Sequence, residues 1–244
     1  MQTTHLWHKL YLHRGKIIAA LVLLLLCTPS FSQRRVNMNN PNYDNRFLSY
    51  GFLIGVHTSS YQLSYSDAFL AREFDNLYSI SPSWSSAFSL GFIVNMKLAD
   101  FFDLRLLPKV AFYEHALEYL YLDRPAEEVL VETTVVEFPL VLKYKSERRG
   151  NNRMYIVGGI KPGTEVSAQN ELEGAGEDNL PIRGFNLSAE FGFGLDIYYP
   201  LFKFSPELRF SRGFANMLGS EINPLSEGID RLTTNTVTLY LLFQ

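Results

Sequence analysis

Cysteine is almost missing from this chain: Cys27 is the only one in 244 residues. It lies in an N-terminal segment read below as removed on export, so the mature chain has no internal disulfide and no thiolate metal site. Long apolar runs are also missing. The longest, Ile17–Leu26, falls short of the roughly 20 residues a spanning helix needs, and nothing later reaches even about 18. A formal net charge of −3 leaves no electrostatic footprint for nucleic acid. Beyond the N-terminal segment the only histidines are His57 and His115. There is no Gly-x-Ser-x-Gly elbow, no phosphate loop, no His-Glu-x-x-His and no clustered acidic metal loop. The sequence therefore assigns no catalytic, cofactor-binding or metal residue and calls for no cofactor. The one enzymatic reading open is a lipid hydrolase at a membrane rim, built on His57 beside Thr58, Ser59 and Ser60, since such chemistry needs a nucleophile, a histidine and an orienting acid.

Aromatic residues, in contrast, are plentiful at 14%, and Phe185–Phe210 shows how they are arranged. Phe185, Leu187, Ala189, Phe191, Phe193, Leu195 and Ile197 take every odd position, with Asn186, Ser188, Glu190, Gly192, Gly194 and Asp196 between them. Phe202, Phe204, Pro206, Leu208 and Phe210 then alternate with Lys203, Ser205, Glu207, Arg209 and Ser211. A period of two is the spacing of a strand. An aromatic apolar face backed by full charges is the pattern of a transmembrane β-barrel, apolar toward lipid and polar toward the lumen.

The N-terminus carries a matching address. Lys9, Arg14 and Lys16 precede the apolar run, and Thr28–Ser32 follows with small residues at Ser30 and Ser32. This is the pattern of a secretory signal peptide over 1–32, cleaved between Ser32 and Gln33. Bulky Leu26 before Cys27 argues against lipidation. Gln33–Arg46 reads as a polar, Asn-rich periplasmic lead-in without structure of its own, and 47–244 as one barrel domain.

Strands are expected near 48–58, 86–98, 104–113, 134–145, 154–162, 185–197, 202–211 and 234–243. The fifth is uncertain in facing because Gly158-Gly159 blurs its alternation. The links alternate long and short: 59–82, 99–103, 114–130, 146–152, 164–184, about 199–200, and 213–232. The long link 164–184 is acidic, with Glu171, Glu173, Glu177 and Asp178. Short periplasmic turns, longer outer loops and both termini in the periplasm are the layout of an eight-stranded antiparallel up-and-down barrel in the outer membrane. Six or ten strands stay open, because Leu117–Leu122 and Val129–Val135 can extend the ladder above the membrane. Val237, Leu239, Leu241 and Phe243 resemble the C-terminal signal read by the barrel-assembly machinery, although Phe243 is penultimate here.

The inward positions carry Lys97, Arg105, Lys109, Glu137, Lys143, Glu190, Asp196, Lys203, Glu207 and Arg209. Eight strands leave an interior just wide enough for side chains, and charges buried there must pair. A salt-bridged plug is the reading these residues favour.

Four motifs follow in order: Glu137-Phe138-Pro139-Leu140-Val141-Leu142-Lys143-Tyr144, then Tyr155-Ile156-Val157-Gly158-Gly159, then Gly192-Phe193-Gly194-Leu195-Asp196, then Ser205-Pro206-Glu207-Leu208-Arg209-Phe210-Ser211, with Asn216 after Gly213. Together they resemble the PorT family of the Bacteroidota. The resemblance implies an outer-membrane barrel required by type IX secretion, which carries folded cargo such as proteinases to the cell surface, and it implies other type IX proteins as partners beside membrane lipid. The rival reading is a generic OmpA/OmpX-like barrel whose loops bind an envelope or host ligand.

Overall fold

Alternation of period two becomes a closed antiparallel ring. The structure, a computed structural model of the chain, describes residues 37–70, 77–123, 125–166, 183–219, 226 and 228–244. The expected signal segment with Ser32 and Gln33, the first residues of the lead-in and the acidic run Glu171–Asp178 lie outside the described residues.

The strands are β1 (Leu48–Tyr65), β2 (Leu77–Ser83), β3 (Ser85–Lys97), β4 (Phe102–Leu106), β5 (Lys109–Tyr121), β6 (Glu127–Glu137), β7 (Leu140–Lys145), β8 (Asn152–Glu165), β9 (Phe185–Tyr198), β10 (Lys203–Gly213) and β11 (Ile229–Phe243). They fill eight places in the ring, because β2 with β3, β4 with β5 and β6 with β7 are each one strand with a break. The breaks fall at Trp84, at Leu107-Pro108 and at Phe138-Pro139. Proline has no N–H for the ladder, yet its carbonyl keeps the ladder bonded. Phe92 N donates to Pro108 O at 2.9 Å, Leu107 N to Pro139 O at 3.0 Å, and Phe138 N to Pro162 O at 2.9 Å. β1 closes the ring by pairing with β3 on one side and β11 on the other, from Phe52 opposite Phe243 to Tyr65 opposite Ile229.

The faces agree with the alternation. Tyr50, Phe52, Phe92 (69% exposed), Leu142, Ile156, Phe193 and Leu239 form an outward apolar belt. Tyr144, Tyr199 and Phe202 ring its lower edge near the short turns, and Trp84, Phe88 and Phe112 ring its upper edge. The uncertain strand resolves as β8: Tyr155, Val157 and Lys161 point in, and Met154, Ile156 and Ile160 point out.

Three expectations need correction. Most of the residues expected in the links 59–82 and 114–130 are ladder: β1 runs on to Tyr65, β2 starts at Leu77, and β5 and β6 stay paired to Tyr119 opposite Glu127. Above the belt the polarity of the sheet reverses. Outward positions become polar, as at Thr58, Gln62, Glu114 and Glu132. Inward positions become an apolar core of Tyr61, Ile80, Leu117, Tyr119, Ile229 and Leu232. Where the outer face meets water rather than lipid, the apolar side must turn inward. Second, Lys97 is not a lumen charge. It ends β3 at the lower rim, is 24% exposed, and pairs with Asp100 at 3.0 Å. Third, the described part of the lead-in is ordered. It makes a short 3-10 turn, Tyr43–Asn45, with Tyr43 buried.

Candidate functional site

The interior is the feature that function must reckon with. All nine expected lumen charges other than Lys97 are buried: Arg105, Lys109, Glu137, Lys143, Glu190, Asp196, Lys203, Glu207 and Arg209. Eight of the nine are ion-paired in the lumen, alongside three residues the alternation did not single out as lumen charges, Asp103, Lys145 and Lys161. Lys161 was hidden by the glycines before it; continuing the odd positions from Tyr155 and Val157 leads to it. Asp103 was assigned to a turn but belongs to β4. Lys145 ends β7 and faces inward by the same alternation that turns Lys143 in.

The pairs form three tiers. Lowest, Lys145 Nζ lies 2.6 Å from Asp103 Oδ1, and Asn95 donates to Asp103 at 3.2 Å. In the middle, Arg105 on β4 reaches across the lumen to Glu207 on β10 at 2.9 Å. Arg209 pairs with Glu207 and, at 2.8 Å, with Glu190, whose other oxygen accepts from Ser211. Lys143 bonds Asp196 at 2.6 Å, and Ser205 donates to the same carboxylate at 2.6 Å. At the top, Glu137 pairs with Lys109 at 2.6 Å and Lys161 at 3.0 Å and accepts the Tyr113 hydroxyl at 2.9 Å. Among the described residues, seven buried cations face five buried anions. Aromatic faces help to hold the excess: Lys143 Nζ lies 3.6 Å from the Tyr155 ring centre and Lys203 Nζ 4.5 Å from that of Tyr43.

Two glycines make this packing feasible. A Cβ on Gly194 would run into the Tyr155 ring, and one on Gly192 would lie 2.6 Å from the Leu208 carbonyl oxygen. With hydrogen in those places, Tyr155 crosses to donate to Glu207 at 2.8 Å. The Gly-x-Gly-x-Asp spacing is therefore a space requirement of the lumen.

Both ends are capped. At the short-turn end, Asp44 accepts from the Tyr198 hydroxyl at 2.7 Å and pairs with Arg153 at 3.1 Å and Arg148 at 3.7 Å. Arg148 also donates to the carbonyls of Asn39 and Asn40, and Asn39 donates to Asn151 at 2.9 Å. Asn40 sits at φ 46°, a left-handed position that asparagine tolerates better than most residues. At the other end the apolar extension closes over the lumen, and Tyr65 donates to the Ile80 carbonyl at 2.9 Å. Burial, then Tyr121 and Glu127, push the Tyr119 phenol above its usual range, as a dry interior requires. Replacing Asp44 with alanine should strip the cap's acceptor and lower stability by about 1–3 kcal/mol. A urea titration in detergent micelles checks this, and an unchanged midpoint would show that the cap is ornamental to the barrel.

The candidate rim chemistry assembles differently from the expectation. His57 does not meet Ser59; it stacks on Tyr113 with ring centres 5.1 Å apart. Ser59 instead approaches His115 Nδ1, from β5, at 3.4 Å. Ser59 is fully buried, and the adjoining cavity is about 30 Å³. That is room for about one water, not for a lipid ester.

Residues 31–219 match the family described as outer membrane protein beta-barrel domain. The chain belongs to that family. No curated protein matches the sequence. Similar solved structures include neisserial surface protein A from Neisseria, at 9% identity and TM-score 0.39, covering 81% of this chain and 98% of that one. OprG from Pseudomonas aeruginosa follows at 14% identity and TM-score 0.42, covering 80% and 94%. Ail, the attachment invasion locus protein of Yersinia pestis, stands at 13% identity and TM-score 0.33, covering 80% and 96%. As a member of the beta-barrel family, this chain is an outer-membrane protein.

Proposed function

We propose that this barrel is a component or accessory of type IX protein secretion that acts through partners and not as the conduit. The observation that carries the second half is the Arg105–Glu207 bridge across the lumen, within an interior crowded by paired side chains. Folded cargo has no route through an eight-stranded ring. The secretion assignment is supported by the ordered motifs that resemble the PorT family. Glu137, Lys143, Gly194, Asp196, Glu207 and Arg209 of those motifs are the residues that build the plug, so the resemblance concentrates on its least exchangeable part.

In this reading the termini and the three short turns face the periplasm, where the polar lead-in and other secretion proteins meet, and the last strand is read by the barrel-assembly machinery. A tag placed within 167–182 is then cleaved by protease on intact cells, and one within 146–151 is protected. The decisive experiment deletes the gene and assays the culture medium. Loss of secreted proteinase, restored by the wild-type gene, is the expected result. Normal proteinase release would overturn the secretion role.

A second reading, a generic barrel that binds an envelope or host ligand, is favoured by one observation. Glu114 on β5 lies directly opposite Glu132 on β6, both exposed above the belt. Like charges so placed cost stability, which suits a face kept for a basic ligand. Under that reading deletion leaves proteinase release intact.

A further inference from the structure

At the upper edge of the belt the outer wall is not a smooth aromatic ring. A row of small or polar residues runs across adjacent strands: Ser60 opposite Asn235, Asn235 opposite Arg212, and Arg212 opposite Ala189. Below the row, a groove of about 420 Å³ opens between Trp84, Ala189, Phe191, Phe210 and Val237. Directly above it lies a second groove of about 290 Å³, which shares Ala189 and Arg212 and adds Gln62, Arg231 and Thr233. The two are continuous, apolar on the membrane side and cationic on the water side.

The charges distinguish this place from the rest of the molecule. Arg212 and Arg231 are exposed, and neither is ion-paired among the described residues. Among the described residues Arg212 donates to Gln62 at 3.2 Å, and Arg231 to the Phe214 carbonyl at 2.9 Å. The lumen arginines, in contrast, are neutralised by carboxylates. At similar height on another part of the wall, the β5–β6 face presents Glu114 and Glu132. The positive patch is thus one-sided and sits where the apolar belt gives way to water.

We infer that these joined grooves bind an anionic phospholipid of the surrounding membrane. An acyl chain lies between Trp84, Phe191 and Phe210, and the phosphate lies against Arg212 and Arg231. Charge complementarity selects the head group, and continuity of the lower groove with the lipid-facing belt selects a lipid over a soluble anion. Ala189 is the small residue that leaves the chain its space.

The test refolds the full chain into micelles containing equimolar phosphatidylglycerol and phosphatidylcholine and reads retained lipid by native mass spectrometry. Wild-type protein is expected to retain phosphatidylglycerol preferentially. Arg212→Gln with Arg231→Gln should reduce that preference by roughly fivefold for each arginine, with heat-modifiable gel migration unchanged. Ala189→Trp should lower retention while both arginines remain. Equal retention of the two lipids by wild type, or an undiminished preference in the double variant, would overturn the inference. So would displacement of phosphatidylglycerol by millimolar inorganic phosphate, which would mark a free-anion site. If Ala189→Trp fails to fold, the arginine variant decides alone.

Discussion

Replacing Glu207 with glutamine should destabilise the barrel by about 3–5 kcal/mol, the cost of removing one partner from a buried ion pair. Glu207 holds Arg105 from across the ring and Arg209 from its own strand, and accepts the Tyr155 hydroxyl. Both arginines are fully buried. Glutamine keeps the shape but leaves Arg105 with no carboxylate bonded to it and Arg209 with Glu190 alone. Urea unfolding in phospholipid vesicles gives the magnitude. A double variant, Glu207→Leu with Arg105→Met, removes one charge of each sign and should recover much of the loss, because an apolar pair of similar volume often substitutes well for a buried ion pair. If the single glutamine variant matched the parent, water or counter-ions would have to reach the lumen, and the sealed-plug reading would fall with it.

An arginine at Phe193 tests the other face. Phe193 is exposed on the outer wall, near the middle of the β9 belt between Ala189 at its upper edge and Tyr199 at its lower edge. A cation at the lipid-facing midplane of such a barrel costs about 2–4 kcal/mol. Phe193→Arg should therefore lower the folded fraction in vesicles and slow assembly, while Phe193→Leu should be nearly silent. Arginine tolerated as well as leucine would mean that this wall faces protein or water rather than lipid. Asp196 on the same strand is costly to neutralise: Lys143 lies 2.6 Å away with its side chain fully buried, so Asp196→Asn strands a cation.

The strand faces were legible because strand geometry is local. A pleat puts successive side chains on opposite sides whatever the sheet later pairs with. Arg105, Lys109, Glu207 and Arg209 could thus be assigned to the inside from parity alone. The same rule missed Lys161, since two glycines carry no side chain to mark a face. It also lost the strand extensions. From Thr58 through Ser64 the alternation continues with its polarity reversed, polar outside and Tyr61 and Leu63 inside. A search for an outward apolar stripe reads that reversal as a loop, although it is the same ladder meeting a different solvent.

Which charges meet is another matter. Lys109 and Glu137 stand directly opposite on paired strands, and adjacent placement suggested such a pair. Arg105 and Glu207, or Lys143 and Asp196, come from strands that do not pair; their contact depends on how the ring closes and how far each strand is staggered. The docking of Asp44 on Arg153 and the joining of Trp84, Ala189 and Arg212 in one wall have the same origin. Period-two alternation, written residue by residue, is enough to set the barrel class, the lipid-facing belt and the sign of the lumen residues. How the lumen charges pair off, and which residues meet on the outer wall, is settled in the folded ring alone, because both depend on register, and register is a relation between strands far apart in the chain.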